Sequence, residues 1–153
     1  MIFLVLKFLH VLGAAVVLGT GVGIAFFMAT AVQSKDPAFI ARTAANVVKA
    51  DFVFIFSALC AQPLTGFWLA DELGLPVFRG ALAISLLLYV LLGFLWLPVL
   101  WLHKRMGELA ADSAAVGASL PPAFRGLYRL WSGLGWAALG TLLAIFWQMV
   151  ARL

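Results

Sequence analysis

Polar residues fall in a few short stretches of this chain, and between them run four apolar segments, 2–30, 52–70, 80–102 and 127–151. About 20 helical residues, each rising about 1.5 Å, are enough to cross about 30 Å of hydrocarbon, and each segment has that length. The apolar residues do not alternate with period two, as a lipid-facing strand of a barrel would require. Backbone in lipid must satisfy its N–H and C=O groups internally, so the segments are predicted to be helices. Short connections favour antiparallel neighbours. The expected fold is therefore all-α: a polytopic membrane protein with one four-helix up-down transmembrane bundle over 1–153.

The connections are 31–51, 71–79 and 103–126. The first breaks at Gln33-Ser34-Lys35-Asp36-Pro37 and then reads as a short amphipathic helix, or as an inward extension of the second span. Gly74 and Pro76 make the second connection tight. The third starts as a helical extension and becomes a small-residue linker ending at Pro121-Pro122.

Composition agrees with the pattern. Hydrophobic residues make up 65% and charged residues 10% of the chain, where a soluble domain carries about a quarter charged. The net charge of +4 would suggest nucleic acid in a soluble protein. Here the basic residues flank spans, and no basic run with interleaved aromatics lies outside them, so nucleic-acid binding is excluded. Seven of the ten Lys and Arg residues (Lys35, Arg42, Lys49, Lys104, Arg105, Arg125, Arg129) lie in or beside the first and third connections. Lys7, Arg79 and Arg152 lie on the other side. This bias places those two connections in the cytoplasm and both termini in the periplasm. Cys60, the one cysteine, excludes an intrachain disulfide and a thiolate cluster, and reads as a small buried hydrophobe. The Ala29-Thr30-Ala31 stretch looks like a cleavage site, but the apolar run before it exceeds a signal-peptide core, so the first span is expected to be retained.

Polar groups inside spans are expensive and demand a reason. His10 sits about 12 Å into its span by helical rise. Equal depth on the other helices brings Gln62, Tyr89 and Thr141, and one turn further out come Lys7, Thr65, Ser85 and Trp147. His10, Gln62 and Tyr89, with Lys7 and Thr65 above them, are the candidate site, expected to line a pocket open to the periplasmic side. A desolvated imidazole stays neutral, and a neutral imidazole is a good ligand for haem iron or copper. Lys7 could meet a carboxylate of such a ligand. The structural alternative is that His10 bonds Gln62 or Tyr89 and only orients helices. Pro63 removes a backbone donor and frees a carbonyl near Leu59, so the second helix should kink beside His10.

At the other face Lys49, Asp51, His103, Arg125 and Arg129 gather at helix ends. Asp51 opens the second span and Arg129 the fourth, which suggests an ion pair. Trp96, Trp101 and Trp131 read as one interfacial belt, Trp68 and Trp147 as the other. The glycines of the first and last spans, Gly19 and Gly23 among them, permit close helix approach. They suggest a homo-oligomer or a larger membrane complex. Nothing resembles a soluble catalytic triad or a phosphate loop.

Three segments carry a resemblance: Leu6-Lys7-Phe8-Leu9-His10-Val11-Leu12-Gly13; Lys49-Ala50-Asp51-Phe52 with Gln62-Pro63-Leu64-Thr65-Gly66-Phe67-Trp68; and Trp96-Leu97-Pro98-Val99 with Leu134-Gly135-Trp136. In order and spacing, the chain resembles the bacterial predicted integral membrane proteins designated DUF2269. That resemblance implies a four-helix inner-membrane protein and no particular activity. The first helix is also similar to those of the HemJ-type membrane protoporphyrinogen oxidases and of the CopD-type copper-resistance domain, which open with Lys-x-x-His as Lys7 and His10 do. The HemJ likeness implies haem at that histidine. Tyr89-Val90 stands where that group has further polar residues, so oxidase activity does not carry over. The Met and His clusters expected for copper are missing.

The expected function is binding of haem b or a related tetrapyrrole through His10, in electron transfer or tetrapyrrole handling. Copper handling or small-solute transport along the kinked Gln62-Pro63 region is the alternative, as is a non-catalytic accessory subunit. A reporter that is active only in the cytoplasm should be silent at the C-terminus and active in the 103–126 connection. The reverse pattern contradicts the charge reading.

Overall fold

The computed structural model describes residues 1–151. Arg152, counted above in the charge balance, lies outside the described residues. The helices are α1 Ile2–Ser34, α2 Pro37–Ala50, α3 Ser57–Glu72, α4 Gly80–Ala115 and α5 Pro122–Val150. A π-helical segment, Asp51–Phe56, joins α2 to α3 without a break. Pro37–Glu72 is thus one long helical rod, and four helices are long and apolar enough to cross a membrane. The first connection is therefore an inward extension of the second span, and the unwound chain between α1 and α2 is only Lys35 and Asp36.

That break is written in local chemistry. Lys35 closes α1 in the left-handed region, at φ 58° and ψ 12°. Asp36 is extended, as a residue before proline prefers, and its Oδ1 accepts from the Ala38 N–H at 2.9 Å. Pro37 occupies the first helical turn, where its missing N–H leaves nothing unsatisfied. At the end of α3, Gly74 adopts φ 62° and the Leu75 N–H bonds back to the Ala70 carbonyl. Gly117 and Ala118 end α4 in the same way.

The two ends of the bundle are built differently. At the end that carries α2 and the α4–α5 loop, Met28, Ile40, Leu102 and Met106 are wholly buried. Ile40, Ala44 and Val47 of α2 form a stripe at helical spacing against α4, where Gly107 brings the two backbones together: a Cβ there would meet the Ala44 methyl at 3.0 Å. At the end that carries the chain termini and the α3–α4 turn, α1 packs on α3 and α4 packs on α5. Between these pairs lies a cavity of about 510 Å³. Elsewhere Leu4, Phe8, Phe94, Leu97 and Trp136 expose their side chains, as lipid-facing residues do. Cys60 is exposed, not buried: it lies on the lipid side of α3.

Candidate functional site

Close approach of α1 and α3 creates the site at the terminal end. Two glycines allow it. A Cβ on Gly13 would collide with the Gln62 amide, and one on Gly66 would meet His10 Cε1 at 3.2 Å. Across this seam Gln62 Nε2 donates to the backbone carbonyl of His10 at 2.8 Å. His10 Nδ1 lies 2.8 Å from Thr65 Oγ1. The Thr65 hydroxyl donates to its own helix, to the carbonyls of Ala61 and Gln62 at 2.9 and 3.1 Å. With its proton held there, Thr65 is placed to accept from Nδ1–H of His10. In the neutral Nδ1–H tautomer Nε2 carries the lone pair, and Nε2 has no protein partner among the described residues.

Tyr89 completes the wall from α4. Pro63 cannot donate to the carbonyl four residues earlier, which is that of Leu59, and the Tyr89 hydroxyl supplies the missing donor. The proline thus sets up a bridge between α3 and α4, which otherwise stand apart around the cavity.

Lys7, His10, Gln62 and Tyr89 all line the cavity. Thr65 does not; it stands behind His10 and orients it. Three polar side chains complete the lining: buried Ser85, Gln148 of α5, and Arg79 from the α3–α4 turn. Arg79 is a loop residue that depth counting along spans misses. The remaining surface is apolar, including Phe3, Phe67, Leu82 and Leu86. Among the described residues no three His, Cys, Asp or Glu side chains gather to hold a metal ion.

A second polar cluster lies deeper, toward the α2 end. Asp51, at the start of the π-helical segment, and His103 of α4 are both buried, with Oδ2 and Nδ1 2.7 Å apart. Trp131 of α5 donates its indole N–H to His103 Nε2 at 2.6 Å. An indole N–H can only donate, so Nε2 is an acceptor and the ring proton sits on Nδ1. His103 is neutral in this arrangement, and the contact with Asp51 is a hydrogen bond to a carboxylate rather than an ion pair. Asp51 Oδ1 accepts from the Trp96 indole at 3.3 Å. Trp131 also stacks on Tyr128, with centroids 5.5 Å apart, and Trp96 on Phe56 at 6.2 Å.

This arrangement corrects two expectations. Asp51 pairs with His103 and not with Arg129, which is exposed. Arg129 lies two residues before Trp131 and so on another face of α5. Trp96 and Trp131 are not belt residues; their N–H groups serve the buried carboxylate and imidazole. The missed signal was helical register. Asp51 continues the stripe of Ile40, Ala44 and Val47, and His103 shares a face with Met106, Ala110 and Ser113.

Together these features define a polytopic membrane protein with a partly polar cavity at one end of a four-helix bundle and a closed polar core toward the other. The chain belongs to the family of predicted integral membrane proteins DUF2269, whose sequence model matches residues 4–153. Comparison with curated proteins and with solved structures gives no match.

His103→Ala leaves the Asp51 carboxylate buried without its main donor, and should lower stability by about 3–5 kcal/mol. Arg129→Ala, on an exposed face, should change it by no more than about 0.5 kcal/mol. Unfolding in detergent measures both. Equal effects would restore the Asp51–Arg129 pair.

Proposed function

We propose that the cavity binds haem b or a related tetrapyrrole, which His10 would hold through Nε2. The observation that carries this reading is the state of His10. Its Nδ1 is tied to Thr65, and Thr65 is tied to its own helix, so the ring is oriented and its remaining nitrogen stands unpartnered among the described residues beside a cavity. Metal-bound histidines are held in this way, through the nitrogen that does not ligate. The volume of about 510 Å³ falls within the range of small-molecule and cofactor sites, about 300–1,000 Å³. Apolar walls suit a macrocycle, and Lys7 and Arg79 supply cations for acidic substituents. A bound tetrapyrrole would supply redox or carrier chemistry; the chain's own part is to orient the imidazole, exclude lipid and neutralise the acids.

The membrane is a bacterial inner membrane in this reading, with both termini and the cavity on the periplasmic side. The Lys and Arg bias supports that orientation. Copper is less well supported: among the described residues no group of three His, Cys, Asp or Glu side chains includes His10, and Met149 is the one methionine that lines the cavity with it.

Protein purified from haem-replete cells should show a Soret band. His10→Ala should abolish it while the protein stays folded and inserted, and Lys7→Gln should weaken haemin binding without abolishing it. Wild type that shows no Soret band and takes up no added haemin would overturn the proposal.

A further inference from the structure

A second cavity, of about 700 Å³, lies at the α2 end between the end of α1 and the start of α5. Two cations from different parts of the chain line it, Lys35 from the α1–α2 break and Arg125 from the first turn of α5. Among the described residues neither makes an ion pair, and no carboxylate lines the cavity. The neighbouring Asp36 is occupied in capping α2. Ser119 and Tyr128, each with a hydroxyl, also line the cavity, while Val32, Leu120 and Phe124 give it an apolar side.

Lys35 carries a second observation. It is the one non-glycine residue with positive φ among the described residues. The end of a helix in that conformation normally takes glycine, which has no Cβ to strain. At the comparable positions ending α3 and α4 this chain does use glycine, Gly74 and Gly117. A lysine in the strained position, with its ammonium available to a cavity that also holds Arg125, indicates that the cation is kept at the expense of backbone comfort.

We propose that this cavity is a binding site for the headgroup of an anionic phospholipid. Two cations and two hydroxyls match a phosphodiester and its polar substituent. The apolar side continues onto α1 and α5, both of which are candidate membrane spans, so it can take the first carbons of the acyl chains. The cavity stands where those spans end, at the level of the headgroups. Basic pockets between membrane helices recognise lipid phosphates in this way. Tyr128 lines the cavity and stacks on Trp131, so the bound headgroup rests against the ring that backs the indole donating to His103.

Full-length protein in neutral detergent, stripped of lipid, is titrated with phosphatidylglycerol or phosphatidylcholine. Retained lipid is counted by native mass spectrometry, and thermal midpoints are recorded. Wild type should retain phosphatidylglycerol in preference to phosphatidylcholine. Lys35→Gly and Arg125→Gln should each weaken that retention about fivefold, the size expected for one basic residue near an anionic surface. Lipid-free Lys35→Gly should melt higher than wild type, because glycine relieves the backbone, so its loss of lipid cannot be a loss of fold. The double variant Arg42→Gln/Lys49→Gln, on the exposed face of α2, should retain lipid as wild type does. Three results would each overturn the proposal: equal retention of phosphatidylcholine, an equal loss in the α2 control, or full retention by Lys35→Gly. Displacement of the lipid by millimolar inorganic phosphate would also overturn it, and would make this a free-anion site.

Discussion

The hydrogen-bonded chain Trp131–His103–Asp51–Trp96 sets the shape of this protein. A carboxylate and an imidazole within the bundle must find partners there, because unpaired polar groups in an apolar medium are penalised by several kcal/mol. The partners come from α5, α4 and the π-helical segment, so satisfying one acid fixes three elements against one another. The fully buried side chains of Met28, Ile40, Leu102 and Met106 lie toward the same end. Closed at that end, the helices are free to diverge toward the other, and the cavity beside His10 is the space they leave.

The diverging end has its own logic. Lipid cannot satisfy the carbonyl that Pro63 frees, and Tyr89 reaches across from α4 to do so. Gly13 and Gly66 let α1 and α3 touch closely enough for Gln62 and Thr65 to bind His10 at its carbonyl and its ring. The two histidines of the chain are thus treated differently. His103 carries its proton on Nδ1, and Thr65 is placed to accept one from the same nitrogen of His10. His103 has both nitrogens engaged and serves the fold. His10 has one engaged and one free, and in our reading serves a ligand.

Much of this is legible in the residues. Apolar run lengths reveal four spans, and Pro63 points to a freed carbonyl near Leu59. Counting depth along the helices gathers His10, Gln62 and Tyr89 in one layer. Other features are not legible that way. Asp51 and Arg129 share a depth and have opposite charges, yet depth ignores which face of a helix a residue occupies. Register, not level, pairs Asp51 with His103. Arg79 enters the cavity from a turn, where neither register nor depth applies. The π-helical segment at Asp51–Phe56 has no propensity signature; tertiary packing makes it. The sites of close backbone approach, at Gly13, Gly66 and Gly107, are not the Gly19 and Gly23 pair, whose surroundings are open.

The state of His10 is tested most directly by nitrogen NMR of protein labelled with ¹⁵N at its two histidines. Both rings should appear as neutral Nδ1–H tautomers. Addition of haemin should perturb the unprotonated Nε2 of His10 and leave His103 as it was. An Nε2–H tautomer at His10, or a haemin effect confined to His103, would contradict the account.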